Sequence, residues 1–384
     1  MNRHGEMTRL STTPETLTIE WANGEVAEFP GVWLLDNLSD HRDPHSGQRL
    51  IDVADLPEHP RIRSAAALDG TLRIEWESGS RPVSFDLGWL ESHGRRRHRF
   101  AIAPHRWLEG AALDASRDFA WATSADAQSN RSLRLDWLTR LLGDGVAFLS
   151  GVPSNEAALL DATRWVGRVF ETNYGLVFDV RSVPQPENLA YSDLGLGLHT
   201  DNPYREPVPG FQALHALAAS PDGGDSLFAD GYALAEHLRA TDPDAFARLT
   251  QTPVPFHYRS KDAELYAERP LIQLSCRGDV TAVHYNSRSI APLDLCARDA
   301  AAFYAAYRRF AMLLREPALQ LKFKLADGDL VVFDNQRILH GRTAFTSARH
   351  ARHLRGCYLT RDSVHGEAAL LRRALEGERP DELD

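Results

Sequence analysis

Two segments decide the fold: GLGLHTDNPYRE at residues 195–206 and GDLVVFDNQRILHGR at residues 328–342. The first contains His199 and Asp201 as an H-x-D pair, and the second carries His340 after a strand-like apolar run. Two histidines and one carboxylate on one face of a β-barrel form the ligand set of a non-haem Fe(II) site. The H-x-D pair alone is weak evidence, because a chain with 16 histidines contains such pairs by chance. The surrounding sequence is what makes Fe(II) the expected metal.

The sequence around these segments predicts many short strands and a few helices. Apolar residues recur with a helical period at residues 131–143, where Gly143 is the expected C-cap, and at residues 155–170, 231–251 and 297–316. Strands are expected in runs broken by Gly, Pro, Asn or Asp: FQALHALAA, GDSLFADG, VPFHYR, LIQLSC, TAVHYN and DLVVFD. This pattern favours a mainly β fold with flanking helices, a double-stranded β-helix (jelly roll), over a parallel α/β sheet.

The first hundred residues contain a faint internal repeat. The stretch that begins at Leu17, LTIEWANGEVAEFPGVWLLDN, is similar to the stretch that begins at Leu72, LRIEWESGSRPVSFDLGWLESH. Each copy predicts a strand, a turn at Asn-Gly or Ser-Gly, a second strand and a short Trp-Leu segment, with tryptophans in the core. We therefore expect a small β-rich domain at residues 1–104 and a catalytic jelly-roll domain at residues 105–384.

Composition and charge argue against several classes of protein. The formal net charge of -10 argues against nucleic acid as a partner, and the one basic run, residues 95–99, has no interleaved aromatic residues. The three cysteines are scattered, which is typical of a reducing compartment. No apolar stretch approaches the length of a membrane span, and the N-terminus lacks the apolar segment of a signal peptide. We therefore expect a cytoplasmic protein that does not bind a membrane.

A 2-oxo acid bound to iron requires a cation for its distal carboxylate. Arg352, twelve residues after His340, is the expected partner, since a guanidinium binds a carboxylate through two parallel hydrogen bonds. Arg355 lies three residues further along, which on a strand places it on the opposite face. Ser226, in the segment GGDSLF, could add a hydroxyl donor or could simply shape the turn. The expected co-substrate is 2-oxoglutarate.

Five segments resemble the γ-butyrobetaine hydroxylase branch of the TauD-like Fe(II)/2-oxoglutarate dioxygenases. They are NYGLVFDVRS, NLAYSDLGLGLHTDNPYREPVPGFQALHAL, GGDSLFADGYALAE, VVFDNQRILHGR and RHLRGCY, and the resemblance runs from about Trp33 to Arg361. It implies a jelly-roll catalytic domain, iron on the two histidines and the aspartate, and 2-oxoglutarate on Arg352. It also implies O2 as a substrate and assembly as a homodimer.

The resemblance further implies an aromatic cage for a trimethylammonium group. Such a cation cannot donate a conventional hydrogen bond, so aromatic faces supply the attraction, at about 2 kcal/mol or more when desolvated. The positions that match the cage are Tyr174, Phe178, Tyr191 and Tyr358. Without the resemblance, these four aromatic residues would be assigned to the hydrophobic core.

Other residues are expected at the anionic end of the substrate. Asn188 matches a family asparagine, and the same pocket is expected to include Asn202, Tyr204, Asn286 and Arg288. Arg288 could equally be a surface residue, and Tyr204 could instead orient the metal-binding aspartate. An added arginine suits a phosphonate, because a phosphonate has three acceptor oxygens and more charge than a carboxylate.

The first-choice substrate is therefore 2-(trimethylammonio)ethylphosphonate, which would give the 1-hydroxy product, succinate and CO2. The alternative substrate is γ-butyrobetaine, which would give carnitine. A non-catalytic jelly-roll protein that binds betaines is the alternative from another class. A complete metal triad with Arg352 favours an enzyme, since a binding protein has no need of an O2 site.

The structural zinc site of the resembled family is expected to be missing. Family members carry three cysteines and a histidine where this chain has Leu38, Asp40, Asp43 and Ser80. A tetrahedral thiolate site cannot form without thiolates. We therefore expect no structural zinc and a polar loop in its place.

Overall fold

The structure is a computed structural model of the chain and describes residues 7–94, 102–113, 119–121, 131–181, 194–220, 222–345 and 352–376. Of these, residues 7–94 belong to one compact unit and the segments from 102 to 376 belong to another. All ladders between the strands named below are antiparallel. Within the described residues, no helix has the length and apolar character needed to cross a bilayer.

The first unit contains two copies of a three-stranded sheet followed by a helix. The first copy comprises β1 (Met7–Thr12), β2 (Thr16–Trp21), β3 (Val26–Pro30) and α1 (Gly31–Asp36). The second comprises β4 (Ile62–Leu68), β5 (Thr71–Trp76), β6 (Val83–Asp86) and α2 (Leu87–Gly94). Trp21 and Trp76 are buried, while Trp33 and Trp89 pack against each other with ring centroids 5.7 Å apart. The repeated Trp-Leu segments therefore lie in the two short helices.

The stretch that lacks the family's cysteines forms a loop with short 3-10 turns at Ser39–His41 and Val53–Asp55. His41 Nδ1 lies 2.9 Å from the carbonyl oxygen of Leu35. Asp43 Oδ1 accepts hydrogen bonds from Ser46 N at 2.7 Å and Ser46 Oγ at 2.8 Å, and these bonds lower the pKa of Asp43. His41 thus contacts the end of α1, and Asp43 is hydrogen-bonded within the loop.

The second unit contains a jelly roll of two antiparallel sheets, so the predicted fold class is confirmed. The larger sheet has the spatial order β7 (Val146–Leu149), β18 (Leu330–Asp334), β11 (Phe211–Ala218), β20 (His353–Leu359) and β8 (Val169–Phe170), with β9 (Phe178–Arg181) also paired to β20. The smaller sheet has the order β10 (Leu196–His199), β19 (Ile338–Arg342), β12 (Ser226–Asp230) and β17 (Leu321–Phe323). Two hairpins are formed by β13 (Val254–Arg259) with β14 (Glu264–Arg269), and by β15 (Ile272–Leu274) with β16 (Val280–Val283).

Helices flank the two sheets. They are α3 (Arg131–Asp144), α4 (Ala158–Thr163), α5 (Gly231–Thr241), α6 (Pro243–Gln251), α7 (Ala297–Leu313) and α8 (Arg361–Glu376), with 3-10 turns at Gly110–Ala112 and Pro317–Leu319. The predicted stop of α3 at Gly143 is wrong by one residue. The helix ends at Asp144 because Gly145 has the left-handed φ of 80° that terminates it, and Gly145 N donates to Leu141 O.

Two further helix predictions need correction. The predicted helix at residues 155–170 is shorter, because Val169–Phe170 pair with β20 and this tertiary pairing overrides the helical period. The predicted single helix at residues 231–251 is two helices. Pro243 has no N–H with which to continue α5, and Asp242 begins α6 by accepting a hydrogen bond from Ala245 N at 3.1 Å.

The larger sheet separates two hydrophobic cores, because successive side chains of a strand point to opposite faces. In β18, Val331 and Phe333 face the interior of the jelly roll, where the Phe333 ring lies 4.8 Å from the Phe228 ring of β12. Leu330 and Val332 face the other side and share a core with residues of α3, α4 and α8. The same alternation holds in β11 and β20, so every second side chain of these strands points into the interior of the jelly roll. The side chains of the site described below lie there.

Candidate active site

The three predicted metal ligands meet across two neighbouring strands of the smaller sheet. His199 ends β10 and lies directly opposite His340 of β19, with ring centroids 4.3 Å apart. Asp201 Oδ1 lies 3.3 Å from His199 Nε2, and Asp201 Oδ2 lies 3.7 Å from His340 Nε2. One ligand atom from each residue lies within 4.8 Å of the other two, and in the described part of the chain no other three His, Cys, Asp or Glu residues meet in this way.

Hydrogen bonds orient two of the three ligands, His199 and Asp201. His199 Nδ1 lies 2.9 Å from Gly197 O, which places the ring proton on Nδ1 and leaves Nε2 for a metal. Asn335 holds the backbone of Asp201 on both sides. Its Oδ1 accepts from Asp201 N at 2.7 Å, and its Nδ2 donates to Asp201 O at 3.0 Å. The protein itself therefore holds His199 and the backbone of Asp201 in place.

Asp201 and His340 have the protonation states that a divalent metal requires. Burial alone would raise the pKa of Asp201, but the neighbouring His340 and His199 rings and a hydrogen bond from Tyr358 hold that pKa well below its usual range. Burial and the neighbouring His199 lower the pKa of His340 to about 3, so its imidazole is neutral at pH 7. A carboxylate with two imidazole nitrogens suits Fe(II) and leaves coordination positions open.

A cavity of about 420 Å³ opens onto the triad. Its wall includes every predicted site residue that the structure describes: Tyr174, Phe178, His199, Asp201, Asn202, Tyr204, Ser226, Asn286, Arg288, His340, Arg352 and Tyr358. The other two predicted residues, Asn188 and Tyr191, lie outside the described residues. The wall also contains Gln212, Tyr258, Arg259 and Arg342, which sequence reasoning missed.

Two buried arginines form the part of the wall expected to hold the distal carboxylate of the co-substrate. Arg352 and Arg342 are each 6% exposed, and their guanidinium groups lie 5.8 and 5.2 Å from the centroid of the Phe345 ring. Burial and the charge of Arg342 lower the pKa of Arg352 to about 10, so Arg352 is charged at neutral pH. No carboxylate pairs with Arg352 among the described residues, and a buried cation without an anion is costly. Ser226 pairs with Arg342 across the strands.

Arg342 could have been found from the sequence. It stands two residues after His340 in the segment HGR, so on a strand both side chains point to the same face. In contrast, Arg355 lies on the outer face of β20, where its guanidinium forms an ion pair with Glu156 at 2.9 Å.

Five aromatic residues line another wall and are called the aromatic cluster below: Tyr174, Phe178, Tyr204, Tyr258 and Tyr358. The ring centroid of Phe178 lies 5.0 Å from that of Tyr358 and 6.5 Å from that of Tyr174. Tyr204 and Tyr258 stack with centroids 5.0 Å apart and planes 18° apart. Tyr258 was missed because it stands in VPFHYR, which is typical of any half-buried strand.

Phe178 reaches the cluster because the strand beneath it carries a glycine. A Cβ at Gly356 would lie 2.6 Å from Phe178 Cε2 and 3.0 Å from Leu214 Cδ2, which is closer than carbon atoms pack. Phe178 and Gly356 are register partners on β9 and β20. The missing side chain therefore leaves room for the Phe178 ring to lie across β20 beside Tyr358.

Polar and charged groups complete the wall. Asn286 donates from Nδ2 to Thr200 O at 3.1 Å, and within the described part of the chain its buried Oδ1 has no hydrogen-bond partner. Arg288 and Arg259 both line the cavity while keeping exposed surface, and desolvation lowers the pKa of Arg288. The cavity thus combines a metal triad, aromatic faces that attract a cation, and arginines that attract anions.

Comparison with known proteins gives consistent matches along the chain. The model of the family "Taurine catabolism dioxygenase TauD, TfdA family" matches residues 110–358. The chain is 34% identical over 366 residues to γ-butyrobetaine dioxygenase of Pseudomonas sp. (strain AK-1), covering 93% of this chain and 94% of that protein. It is 28% identical over 382 residues to human mitochondrial trimethyllysine dioxygenase, covering 94% of this chain and 89% of that protein. A solved asparagine oxygenase in complex with Fe(II), 3-hydroxyasparagine and succinate superposes with a TM-score of 0.48 at 21% identity, covering 61% and 80% of the two chains.

Proposed function

The chain belongs to the TauD, TfdA family of dioxygenases, and we propose that it hydroxylates an unactivated C–H bond of a small trimethylammonium zwitterion. It is an enzyme that depends on Fe(II) and 2-oxoglutarate, so the alternative of a non-catalytic betaine-binding protein is set aside. The relatives named for γ-butyrobetaine and trimethyllysine support a trimethylammonium substrate for this chain.

The observation that carries the proposal is the position of the aromatic cluster beside the triad. Tyr358 packs its ring on Phe178 and donates its hydroxyl hydrogen to Asp201, so a cation on these rings would lie close to the metal. Aromatic faces suit a quaternary ammonium group, which has no N–H to donate. A substrate held by this end would present its methylene groups to the metal.

Each group of the chain has a distinct task in the reaction. Bound iron and 2-oxoglutarate supply, together with O2, the oxidising power that an unactivated C–H bond requires. His199, Asp201 and His340 hold the metal, while Arg352 and Ser226 hold the distal carboxylate of 2-oxoglutarate. The aromatic cluster and the arginines of the wall fix which carbon lies nearest the metal, and this positioning determines the product.

For the anionic end we propose a phosphonate, with 2-(trimethylammonio)ethylphosphonate as the first-choice substrate. The support is the pair of guanidinium groups, Arg288 and Arg259, on one cavity wall, since two cations suit a dianion better than a single carboxylate. The second candidate is γ-butyrobetaine, which would give carnitine, and the 34% identical relative supports it.

Assembly as a homodimer is a further proposal, to be checked by sedimentation velocity.

The test is turnover of matched substrates. The protein with Fe(II) and 2-oxoglutarate is incubated separately with 2-(trimethylammonio)ethylphosphonate, γ-butyrobetaine and trimethyllysine, and mass spectrometry is used to look for one added oxygen. We expect oxygenated phosphonate and O2-dependent succinate release. Efficient turnover of γ-butyrobetaine without any phosphonate product would reject the phosphonate, and no turnover of any of the three would reject the trimethylammonium class.

Two comparisons test separately how the cavity recognises the cationic end and the anionic end of the substrate. In 3,3-dimethylbutylphosphonate an uncharged tert-butyl group replaces the trimethylammonium group, and KM should rise about 30-fold, which corresponds to about 2 kcal/mol of lost cation–π attraction. Arg288→Ala should raise KM for the phosphonate much more than for γ-butyrobetaine. Arg298→Ala, at an exposed arginine outside the cavity, is the matched control and should change neither. If Arg288→Ala raised KM equally for both substrates, Arg288 would not distinguish a phosphonate from a carboxylate.

A further inference from the structure

A buried amide on the cavity wall has no hydrogen-bond partner among the described residues. Gln212 is 3% exposed, and its Oε1 has no hydrogen-bond donor. Its Nε2 likewise makes no hydrogen bond to the described residues. Buried amide groups in folded proteins are almost always hydrogen-bonded, because an unpaired one loses its contacts with water without replacement. The Nε2 group is the donor end of this amide, and because Gln212 lines the cavity, a ligand in the cavity can supply the missing acceptor.

The strand register places this amide at the metal end of the cavity. Gln212 of β11 is the register partner of Tyr358 on one side and of Phe333 on the other. Tyr358 donates to Asp201 Oδ2, and the Phe333 ring centroid lies 4.8 Å from that of His340. Gln212 is thus flanked by two side chains that each contact a metal ligand. Arg352 precedes β20 at the opposite end of that strand from Tyr358, so Arg352 and Gln212 lie near different ends of β20.

We propose that Gln212 is a positioning residue that donates a hydrogen bond from its side-chain amide to the carboxylate that a 2-oxo acid places beside the metal. A carboxylate bound to a metal keeps acceptor lone pairs that a neutral donor can satisfy without adding charge. The amide thereby fixes the rotation of the co-substrate about the metal, while Arg352 holds its far end. This inference rests on the 2-oxoglutarate dependence of the enzyme and is independent of the substrate that it hydroxylates.

The test is binding of an inert 2-oxo acid analogue to the full chain. Mn(II) replaces iron, and the dissociation constant of N-oxalylglycine is measured by calorimetry for the wild type and for Gln212→Leu, which has a similar volume and no hydrogen-bonding groups. We expect binding at least tenfold weaker in the variant, as for the loss of a hydrogen bond to a charged group. Mn(II) affinity without the analogue should stay within about twofold of the wild type.

A matched control and a second variant guard against a purely structural effect. Gln320→Leu makes the same change outside the cavity, where Gln320 donates from Nε2 to Leu314 O at 2.6 Å, and it should leave analogue binding unchanged. Gln212→Glu replaces the donor with a carboxylate that repels the ligand until it is protonated. Relative to the wild type at the same pH, this variant should bind the analogue better as the pH is lowered, and a packing role would not produce that trend.

Some outcomes would overturn the inference. Gln212→Leu with wild-type affinity for N-oxalylglycine is one of them. Weaker binding of the trimethylammonium substrate alone is another, because it would assign the amide to the substrate. Neither outcome bears on the proposed substrate class, since the analogue titration contains no trimethylammonium compound. A failure of all trimethylammonium substrates would, conversely, leave this inference intact.

Discussion

Tyr358 donates a hydrogen bond from Oη to Asp201 Oδ2 at 2.8 Å while its ring packs 5.0 Å from that of Phe178. Burial and the charge of Asp201 raise the pKa of Tyr358, so the phenol stays protonated and remains the donor. The hydrogen bond fixes the rotation of the carboxylate, and the ring forms part of the aromatic cluster. One side chain therefore sets the separation between the metal and a cation bound on the cluster.

The first prediction separates these two roles. Tyr358→Phe keeps the ring and removes the hydrogen bond, so metal affinity should fall about 10- to 100-fold, as for other groups that orient metal ligands. KM for the trimethylammonium substrate should change far less, once metal is saturating. Metal affinity is measured by titration with Mn(II). Tyr258→Phe is the control, and unchanged metal affinity in Tyr358→Phe would contradict the prediction.

The second prediction concerns the co-substrate. Arg352→Lys keeps a positive charge but loses the two parallel donors, and burial lowers the pKa of a lysine more readily than that of an arginine. We expect KM for 2-oxoglutarate to rise at least about tenfold, with little change in KM for the substrate. Arg355→Lys, on the outer face of the adjoining strand β20, is the control. If both variants raised KM for 2-oxoglutarate equally, Arg352 would not be a specific partner of the co-substrate.

The third prediction tests the space above Gly356. Gly356→Ala places a Cβ 2.6 Å from Phe178 Cε2, so the ring must move away from Tyr358. KM for the trimethylammonium substrate should rise about tenfold or more, while N-oxalylglycine binding is retained. Gly366→Ala, in α8 with no atom within 4 Å of the new Cβ, should be neutral or stabilise by about 0.5–1 kcal/mol. Substrate binding by Gly356→Ala at the wild-type level would show that Phe178 does not contact the cation.

The fourth prediction concerns acid stability. His284 is buried 3.1 Å from Gln273 Oε1, and burial together with Arg269 lowers its pKa to about 3. The unfolded chain has a histidine pKa of about 6.5, so between these values the unfolded state binds more protons and stability falls as the pH falls. From pH 7 to pH 5 the wild type should lose about 2 kcal/mol more unfolding free energy than His284→Gln. Urea unfolding at both pH values measures this difference, and His257→Gln, at an exposed histidine, should behave as the wild type.

The parts of the site that the sequence predicted are those encoded locally. His199, Asp201 and His340 stand in short segments with a recognisable order, and Arg352 follows at a fixed distance along the chain. The jelly roll was predictable for a similar reason, because strand patterns and turn residues alternate throughout the second unit. These features need no knowledge of which strands become neighbours.

The parts that escaped prediction depend on long-range register. Gln212 faces the cavity because it pairs with Tyr358 and Phe333, and nothing in FQALHALAA distinguishes it from a surface glutamine. Tyr258 and Arg259 enter the wall through a hairpin whose placement is set by distant packing. The division of residues 231–251 into two helices, in contrast, could have been predicted from the sequence. Asp242 is a helix N-cap and Pro243 is a first-turn proline.

The pairing of His199 with His340 has a consequence for the edge of the smaller sheet. Among the described strands β10 lies at the edge of this sheet, and its ladder with β19 has two register pairs with an irregularity between them. A metal held by both histidines would act as a cross-link between positions far apart in the sequence, and closing so long a loop reduces the freedom of the unfolded chain. We therefore expect the metal ion to stabilise the pairing of β10 with β19 in addition to its role in catalysis. Chelation would then release a strand edge that is able to pair with other chains.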